Sequence, residues 1–389
     1  MMSSPAITEI LASLVAFDTT SRNSNLDLIA WVENYLASHG IASERIYDAT
    51  RAKANLWATI GPADQAGYIL SGHTDVVPVD GQEWTDDPFN LVLRDGRAYG
   101  RGACDMKGFL AACLSRVPAM KAAALARPIH LAFSYDEEVG CVGVRGIVEK
   151  LAKAEVKPLG CFVGEPTAMN VVIGHKGKRS LKVRVRGKGC HSSLAPQGVN
   201  AVEWGARLVA HIRTIADRFA TSGARDALYD VPYTTAHVGI FTGGTALNIV
   251  PDESQIVFEI RAIGADDPDT VVAEIEAYAR RELEPAMQAV DPQSGFDFDV
   301  FAGFPGLDTA PGDAVVTLAK RLAGRNEHGK VAYGTEAGLF QAVAGVPSVV
   351  IGPGSIGEAH KPDEYIEVAQ LEACGAFIDR LIAHCAEAH

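Results

Sequence analysis

The run Ile129-His-Leu131-Ala-Phe133-Ser-Tyr-Asp136-Glu137-Glu138-Val-Gly140 constrains the fold more than any other stretch of the chain. Ile129, Leu131 and Phe133 are apolar and strand-compatible, so the segment reads as a buried strand. Three carboxylates follow at once, and Gly140 then lets the chain turn. A buried strand that ends in acids belongs in an open α/β sheet, which gathers its chemistry at the carboxyl ends of its strands. Taken alone, such a cluster is more simply a solvated acidic turn. Other segments have to decide between the two.

Tyr68-Ile-Leu-Ser-Gly-His73-Thr-Asp75 is a second apolar strand ending in polar groups, and in an extended chain His73 and Asp75 project the same way. Gly160-Cys-Phe-Val-Gly164-Glu165 is a third. Gly100-Arg-Gly102-Ala-Cys-Asp105-Met-Lys-Gly108 is a glycine-punctuated loop leading into a helix over 109–124. It lacks the G-x-x-x-x-G-K-[ST] spacing and carries a carboxylate at its centre, which argues against a phosphate cradle. A helix pair over 5–40 precedes these segments. A helix over Val144–Leu151 lies among them. Late in the chain, Ala314–Leu322 reads as a helix, Val346–Ile351 as a buried strand and Glu367–His384 as a helix. Between the last two lies a glycine-rich loop with His360.

The style changes near residue 179. Leu181, Val183 and Val185 alternate with Lys182, Arg184 and Arg186. A long amphipathic helix (200–220), strands over 234–242 and 255–262, a helix over 266–283 and a strand over 296–301 follow. The order is β-α-β-β-α-β, a two-layer unit with one sheet face open. The expected organisation is an α/β domain over 1–178 and 304–389, with the unit 179–303 inserted into it. At 389 residues, two domains are also what length predicts.

A net charge of −13 without a Lys/Arg block excludes a nucleic-acid surface from the expectations. No stretch approaches the roughly 18 apolar residues of a membrane span. The first residues carry Glu9 and no basic segment, unlike a signal peptide. The seven cysteines are scattered without a Cys-x-x-Cys pair, so neither a disulfide framework nor a structural zinc site is expected, and a cytoplasmic location is.

Four strand ends of the α/β part are expected to carry His73 with Asp75, Asp105, Glu137 with Glu138, and Glu165, and the late loop adds His360; each has a simple separate account as core histidine, cap, turn acid or loop histidine. Together, two histidines and several carboxylates suit a divalent transition metal, zinc or cobalt in particular. The absence of cysteine among them fits a catalytic site. Asp75 is placed to accept the second N–H of a metal-bound His73. Two metals explain the number of acids, since a carboxylate bridging ions about 3.5–4 Å apart offsets their repulsion. One further carboxylate must stay free to move a proton.

These segments resemble the M20 metallopeptidase/deacylase family. The resemblance runs from Ser71-Gly-His73-Thr-Asp75-Val and the Asp105 loop through Asp136-Glu137-Glu138 and Gly164-Glu165-Pro-Thr. It continues through Gly189-Cys-His191-Ser-Ser and ends at Ala359-His360-Lys-Pro-Asp-Glu. It implies an α/β fold, a mixed-sheet zinc aminopeptidase-like catalytic domain carrying a βαββαβ dimerisation lid. It implies two zinc ions per subunit, with cobalt able to substitute. Asp105 would bridge them and be followed by a cis bond to Met106. His73 and Glu165 would hold one ion, Glu138 and His360 the other. Glu137 would be the general base and acid, and Asp75 would orient His73. His191, from the partner of a homodimer, would stabilise the oxyanion.

Gly243-Gly-Thr-Ala-Leu-Asn248 and Phe258-Glu-Ile-Arg261 resemble the family's binding segments for the substrate α-carboxylate. Glu336 would either meet a substrate ammonium or hold a hinge. Cys190 before His191, and Gly334-Thr-Glu336, resemble the branch that hydrolyses N2-acetyl-L-ornithine in arginine biosynthesis. A succinyl-diaminopimelate desuccinylase or another N-acyl-amino-acid amidohydrolase is the alternative. A non-catalytic binding protein on the same scaffold would be favoured by a lost ligand or a lost Glu137, and none is lost.

Overall fold

A computed structural model describes residues 6–387. It divides into two compact units. The first takes in residues up to 174, 307–330 and from 335 onward; the second is 175–306 with 331–334.

The first unit is built on a mixed sheet. Along it run, in spatial order, Ser43–Tyr47, Ala54–Ile60, Ile129–Ser134, Tyr68–His73, Gly160–Val163, Ser348–Val350, Val172–His175 and Leu307–Asp308. The four strands in the middle, from Ile129–Ser134 to Ser348–Val350, are mutually parallel. Antiparallel pairings flank them on both sides. Tyr68–His73 and Ile129–Ser134 are buried along their whole length, as parallel strands with covered faces require. Helix Gly108–Ser115 is buried at every position, and Ile7–Val15 and Val368–Ala386 pack against it. Phe162 on the sheet meets Phe377 of the last helix edge-on, with ring centroids 5.4 Å apart.

The second unit is a four-stranded antiparallel sheet ordered Thr235–Gly243, Glu253–Ala262, Gly177–Arg186, Gly295–Phe304. Helices Ala201–Ser222 and Pro268–Tyr278 pack against it. The alternation decides the layers: Leu181, Val183, Val185, Ile256, Phe258 and Ile260 are buried with the helices, while Lys182 and Arg184 are exposed. Asn200 caps the long helix, its side-chain oxygen accepting from the N–H groups of Val202 and Glu203.

Three expectations need correction. The helix over 109–124 is two helices, Gly108–Ser115 and Val117–Ala122, because Pro118 cannot continue the first ladder. The helix over 266–283 ends at Tyr278 and passes into a wider turn, Ala279–Leu283. Asp105 does not stand at a strand end: it lies in the irregular turn Ala103–Lys107 that enters a helix. A small sheet of Val92–Arg94, Arg97–Tyr99 and Tyr365–Glu367 was also missed, since three-residue strands carry no periodicity.

Candidate metal centre

The parallel order of the central strands brings the predicted site together. His73 is the last residue of Tyr68–His73. Glu137 and Glu138 follow Ile129–Ser134 on one side, and Glu165 follows Gly160–Val163 on the other. The chain leaving Ser348–Val350 then runs to His360. All of these carboxyl ends lie at one edge of the sheet, where such sheets carry their sites. Gly164 is required beside Glu165: a Cβ there would lie 2.0 Å from the ring of Phe109.

Asp105 occupies the middle. Its Oδ1 lies 3.1 Å from His73 Nε2, and its Oδ2 lies 3.2 Å from His360 Nε2. Each histidine has a second carboxylate: Glu165 Oε1 is 3.9 Å from His73 Nε2, and Glu138 Oε1 is 3.1 Å from His360 Nε2. Two histidine–carboxylate sets therefore share one aspartate. Ligand atoms of His73, Asp105 and Glu138 lie within 4.8 Å of one another, and so do those of His73, Glu137 and Glu165. The Asp105–Met106 peptide is cis.

Electrostatics tell the same story. Burial disfavours charge on His73, yet its bonds to Asp105 and Asp75 raise its pKa well above the usual value. Hydrogen bonds donated to the Asp105 and Glu138 carboxylates push His360 up to about 10. Burial opposes ionisation of Asp105, but the two histidines hold its carboxyl below the ordinary range. Burial raises Glu165, with the charge of Asp105 adding. Burial also raises Glu137 to about 8, with Glu138 and Glu336 adding and His73 opposing. The acids that hold protons on two histidines are equally suited to hold divalent cations.

The residue set fits such ions on a further count. Glu165 Oε1 is buried without a hydrogen-bond partner. An orphaned buried carboxylate oxygen is costly unless a cation takes it up.

Asp75 does more than sequence suggested. His73 Nδ1 lies 2.9 Å from the backbone oxygen of Asp75 and 3.5 Å from its Oδ1. The Asp75 carboxylate also accepts from Ser21 Oγ at 2.7 Å and from the backbone N–H groups of Glu137 at 3.0 Å and Glu138 at 3.3 Å. One buried aspartate thus pins both His73 and the acidic turn. Asp136, which had no role in the sequence, bonds Lys53 at 2.5 Å. Lys53 also donates to the backbone oxygen of Ser21. The Asp18–Arg22 segment, between the first two helices, is part of this scaffold. Its signal was the density of Thr and Ser there, which bond backbone when buried.

Glu336 is fully buried, hydrogen-bonded to Ser71 Oγ at 3.2 Å and to Ser134 Oγ, and burial raises its pKa to about 7. The remaining predicted residues lie in the second unit. His191 is exposed, and Asn248 stands beside it: the Ser192 N–H donates to the Asn248 carbonyl at 3.0 Å. Ser193 N donates to His191 Nδ1 at 3.2 Å, which leaves the proton on Nε2, facing outward as a donor. Arg261 is at the far end of strand Glu253–Ala262, its guanidinium on Glu259 at 3.1 Å.

The family model for peptidase family M20/M25/M40 matches residues 69–384. An acetylornithine deacetylase of Proteus mirabilis (strain HI4320) is 32% identical over 371 residues, covering 95% of this chain and 92% of that protein. Among solved structures, an M20 family metallo-carboxypeptidase from Sulfolobus solfataricus superposes with a TM-score of 0.75 at 19% identity, covering 98% of this chain and 99% of that one. A dinuclear metal-binding M20 peptidase from Bacillus subtilis gives 0.65 at 16% identity, with 97% of each chain covered. With its mixed sheet and its shared-aspartate cluster, the chain belongs to the M20/M25/M40 peptidase family of amide-bond hydrolases.

Proposed function

We propose that the chain removes the acetyl group from N2-acetyl-L-ornithine, giving L-ornithine and acetate. The observation that carries the hydrolytic part is the Asp105 carboxylate between His73 and His360, each backed by its own glutamate. The substrate part rests on the 32% identity to an acetylornithine deacetylase across nearly the whole chain.

His73, Asp105 and Glu165 would hold one divalent ion, and His360, Glu138 and the second oxygen of Asp105 the other, with zinc the expected metal and cobalt a substitute. When bound, the pair supplies Lewis acidity and lowers the pKa of water at the site. Glu137 takes the proton of the attacking water and returns it to the leaving nitrogen. Burial raises its carboxyl above the ordinary range, the direction that suits a group that takes and returns a proton near neutrality. Asp75 keeps His73 and the turn of Glu137 in register. His191 Nε2–H is the donor for the developing oxyanion. Arg261 exchanges Glu259 for the substrate α-carboxylate in a bidentate pair, with Asn248 assisting. Glu336 holds the strand ends through Ser71 and Ser134.

The second unit also serves as the dimer contact in this reading. Thr235–Gly243 is an edge strand with Ile240 and Phe241 exposed, and edges of this kind pair with another chain. A homodimer would bring His191 to the partner subunit's centre. Seven free cysteines suit the cytoplasm. Among the described residues no helix is long and apolar enough to cross a membrane.

The test is kcat/KM over a panel of N-acetylated and N-succinylated amino acids, with and without a chelator. Acetylornithine should lead the panel, and chelation should abolish turnover. A succinylated substrate in the lead transfers the assignment to a desuccinylase. Chelator-resistant activity removes the metal reading.

A further inference from the structure

Arg101 and Glu364 form an ion pair at 2.7 Å that is almost wholly buried in the first unit. Neither contributes a side chain to the metal centre. The Glu364 carboxylate accepts three further hydrogen bonds, from the N–H groups of Gly102 at 3.1 Å, Cys104 at 2.9 Å and Asp105 at 3.0 Å. It therefore grips the turn that carries Asp105 by its backbone. Arg101 reaches the other way. Its Nη1 donates to the Lys361 carbonyl at 3.4 Å, its Nη2 to Gln82 Oε1, and its guanidinium lies over Trp84, 5.0 Å from the ring centroid. Gln82 Nε2 in turn donates to the His360 carbonyl at 3.3 Å. Asp363 is held by Thr85, through N at 2.8 Å and Oγ1 at 2.7 Å.

Three segments, 82–85, 101–105 and 360–364, are thus locked around one buried pair. The locked segments carry Asp105 and His360. His73 and Glu165 stand outside the lock, fixed by strand ends and by Asp75. A buried pair with this many bonds is weak evidence for net stability but a good device for fixing geometry.

We propose that Arg101 and Glu364 are positioning residues for the metal held by Asp105, Glu138 and His360, and that they serve this ion more than its neighbour, because the lock carries two of its ligands, Asp105 and His360, and only the shared Asp105 of the other set. The inference rests on the two-metal reading above. Glu364 has to be an acceptor on both oxygens: one faces Cys104 and Asp105, the other Arg101 and Gly102. A glutamine supplies one acceptor, and its NH2 would then confront another donor.

Metal-free wild type, Glu364→Gln and Gln82→Ala should be titrated with Co2+, read by calorimetry and visible absorption, with circular dichroism and Tm as folding controls. Wild type should bind two equivalents. Glu364→Gln should weaken one equivalent by about tenfold or more, the range for residues that orient ligands, and the other by clearly less. Gln82→Ala removes a partly exposed partner of Arg101. It should weaken the same equivalent by less than Glu364→Gln does, in a protein that still folds. If Glu364→Gln does not fold, Gln82→Ala decides alone. Two equivalents in wild type with neither weakened in the folded variants overturn the proposal, as does equal weakening of both. One equivalent in wild type overturns the two-metal reading itself, and the proposal with it.

Discussion

Asp75→Asn is the substitution that most directly probes how the site is held. The side chain is buried, and its volume barely changes, so the effect isolates hydrogen bonding. Oδ1 takes the Glu137 N–H and faces His73 Nδ1; Oδ2 takes Ser21 Oγ and the Glu138 N–H. An asparagine can accept on one side only. With its NH2 toward Ser21, the serine hydroxyl turns to accept, but the Glu138 N–H is left facing a donor. The reverse orientation strands the Glu137 N–H. Either way one buried backbone donor loses its partner, at about 2 kcal/mol. For a unit of this size that is about 4 °C in Tm. The kinetic effect is larger, because Glu137 and Glu138 both hang from this carboxylate. A displacement of about 1 Å costs roughly 100-fold in kcat. Ser21→Ala is the graded control: it removes one donor and leaves both backbone bonds, so stability should fall by about 1 kcal/mol or less. The assay is kcat, KM and metal content on acetylornithine, with Tm alongside. An Asp75→Asn protein with kcat within about threefold of wild type and unchanged Tm would refute the reasoning, since the strand ends alone would then suffice to hold the turn.

Glu137→Ala should abolish nearly all turnover while both metals stay bound; heavy metal loss by elemental analysis would make Glu137 a ligand instead of the base. His191→Ala should lower kcat by about 100-fold at full metal content, as loss of an oxyanion donor does, and an intact kcat would remove it from that role. Ile240→Lys on the exposed edge strand should shift the species seen by light scattering from dimer to monomer, and an unchanged dimer would place the contact elsewhere. His130 provides a pH test of stability. It is buried against Trp57, and burial, with Lys150 adding, lowers its pKa to about 4. The fold therefore disfavours its charged form: stability is full above the unfolded value of about 6.5 and falls as pH drops toward 4, by up to about 3 kcal/mol. His130→Gln should flatten the Tm profile between those values, and parallel profiles would refute it.

Sequence disclosed the strands because they are buried on both faces and end abruptly in polar residues. His73, the Glu137–Glu138 pair and Glu165 could be found that way, since each stands two to five residues beyond an apolar run. The inserted unit was legible through alternation, Leu181, Val183 and Val185 going in and Lys182 and Arg184 going out. What sequence could not show was held by backbone. Asp105 sits in a turn fixed by N–H groups that bond a carboxylate near the other end of the chain. The Asp75 carboxylate binds amides of residues 137 and 138, and no residue-type pattern encodes an amide as a partner.

The same contrast explains how a site drawn from His73 to His360 can be assembled at all. Strand order does most of it: Ile129–Ser134, Tyr68–His73 and Gly160–Val163 are neighbours and parallel, so their ends meet without any side-chain interaction being needed. That leaves only the ligands that do not stand directly at a strand end. Asp105 and His360 are these two, and both lie on segments tied to the buried Arg101–Glu364 pair. The helper residues are concentrated where topology does not deliver the proposed ligand, while His73 and the Glu137–Glu138 turn are held by one aspartate, Asp75. A fold of this kind therefore uses buried polar networks for positions its sheet cannot set. In the proposed reading, Arg101 and Glu364, large, charged and hidden, meet that need.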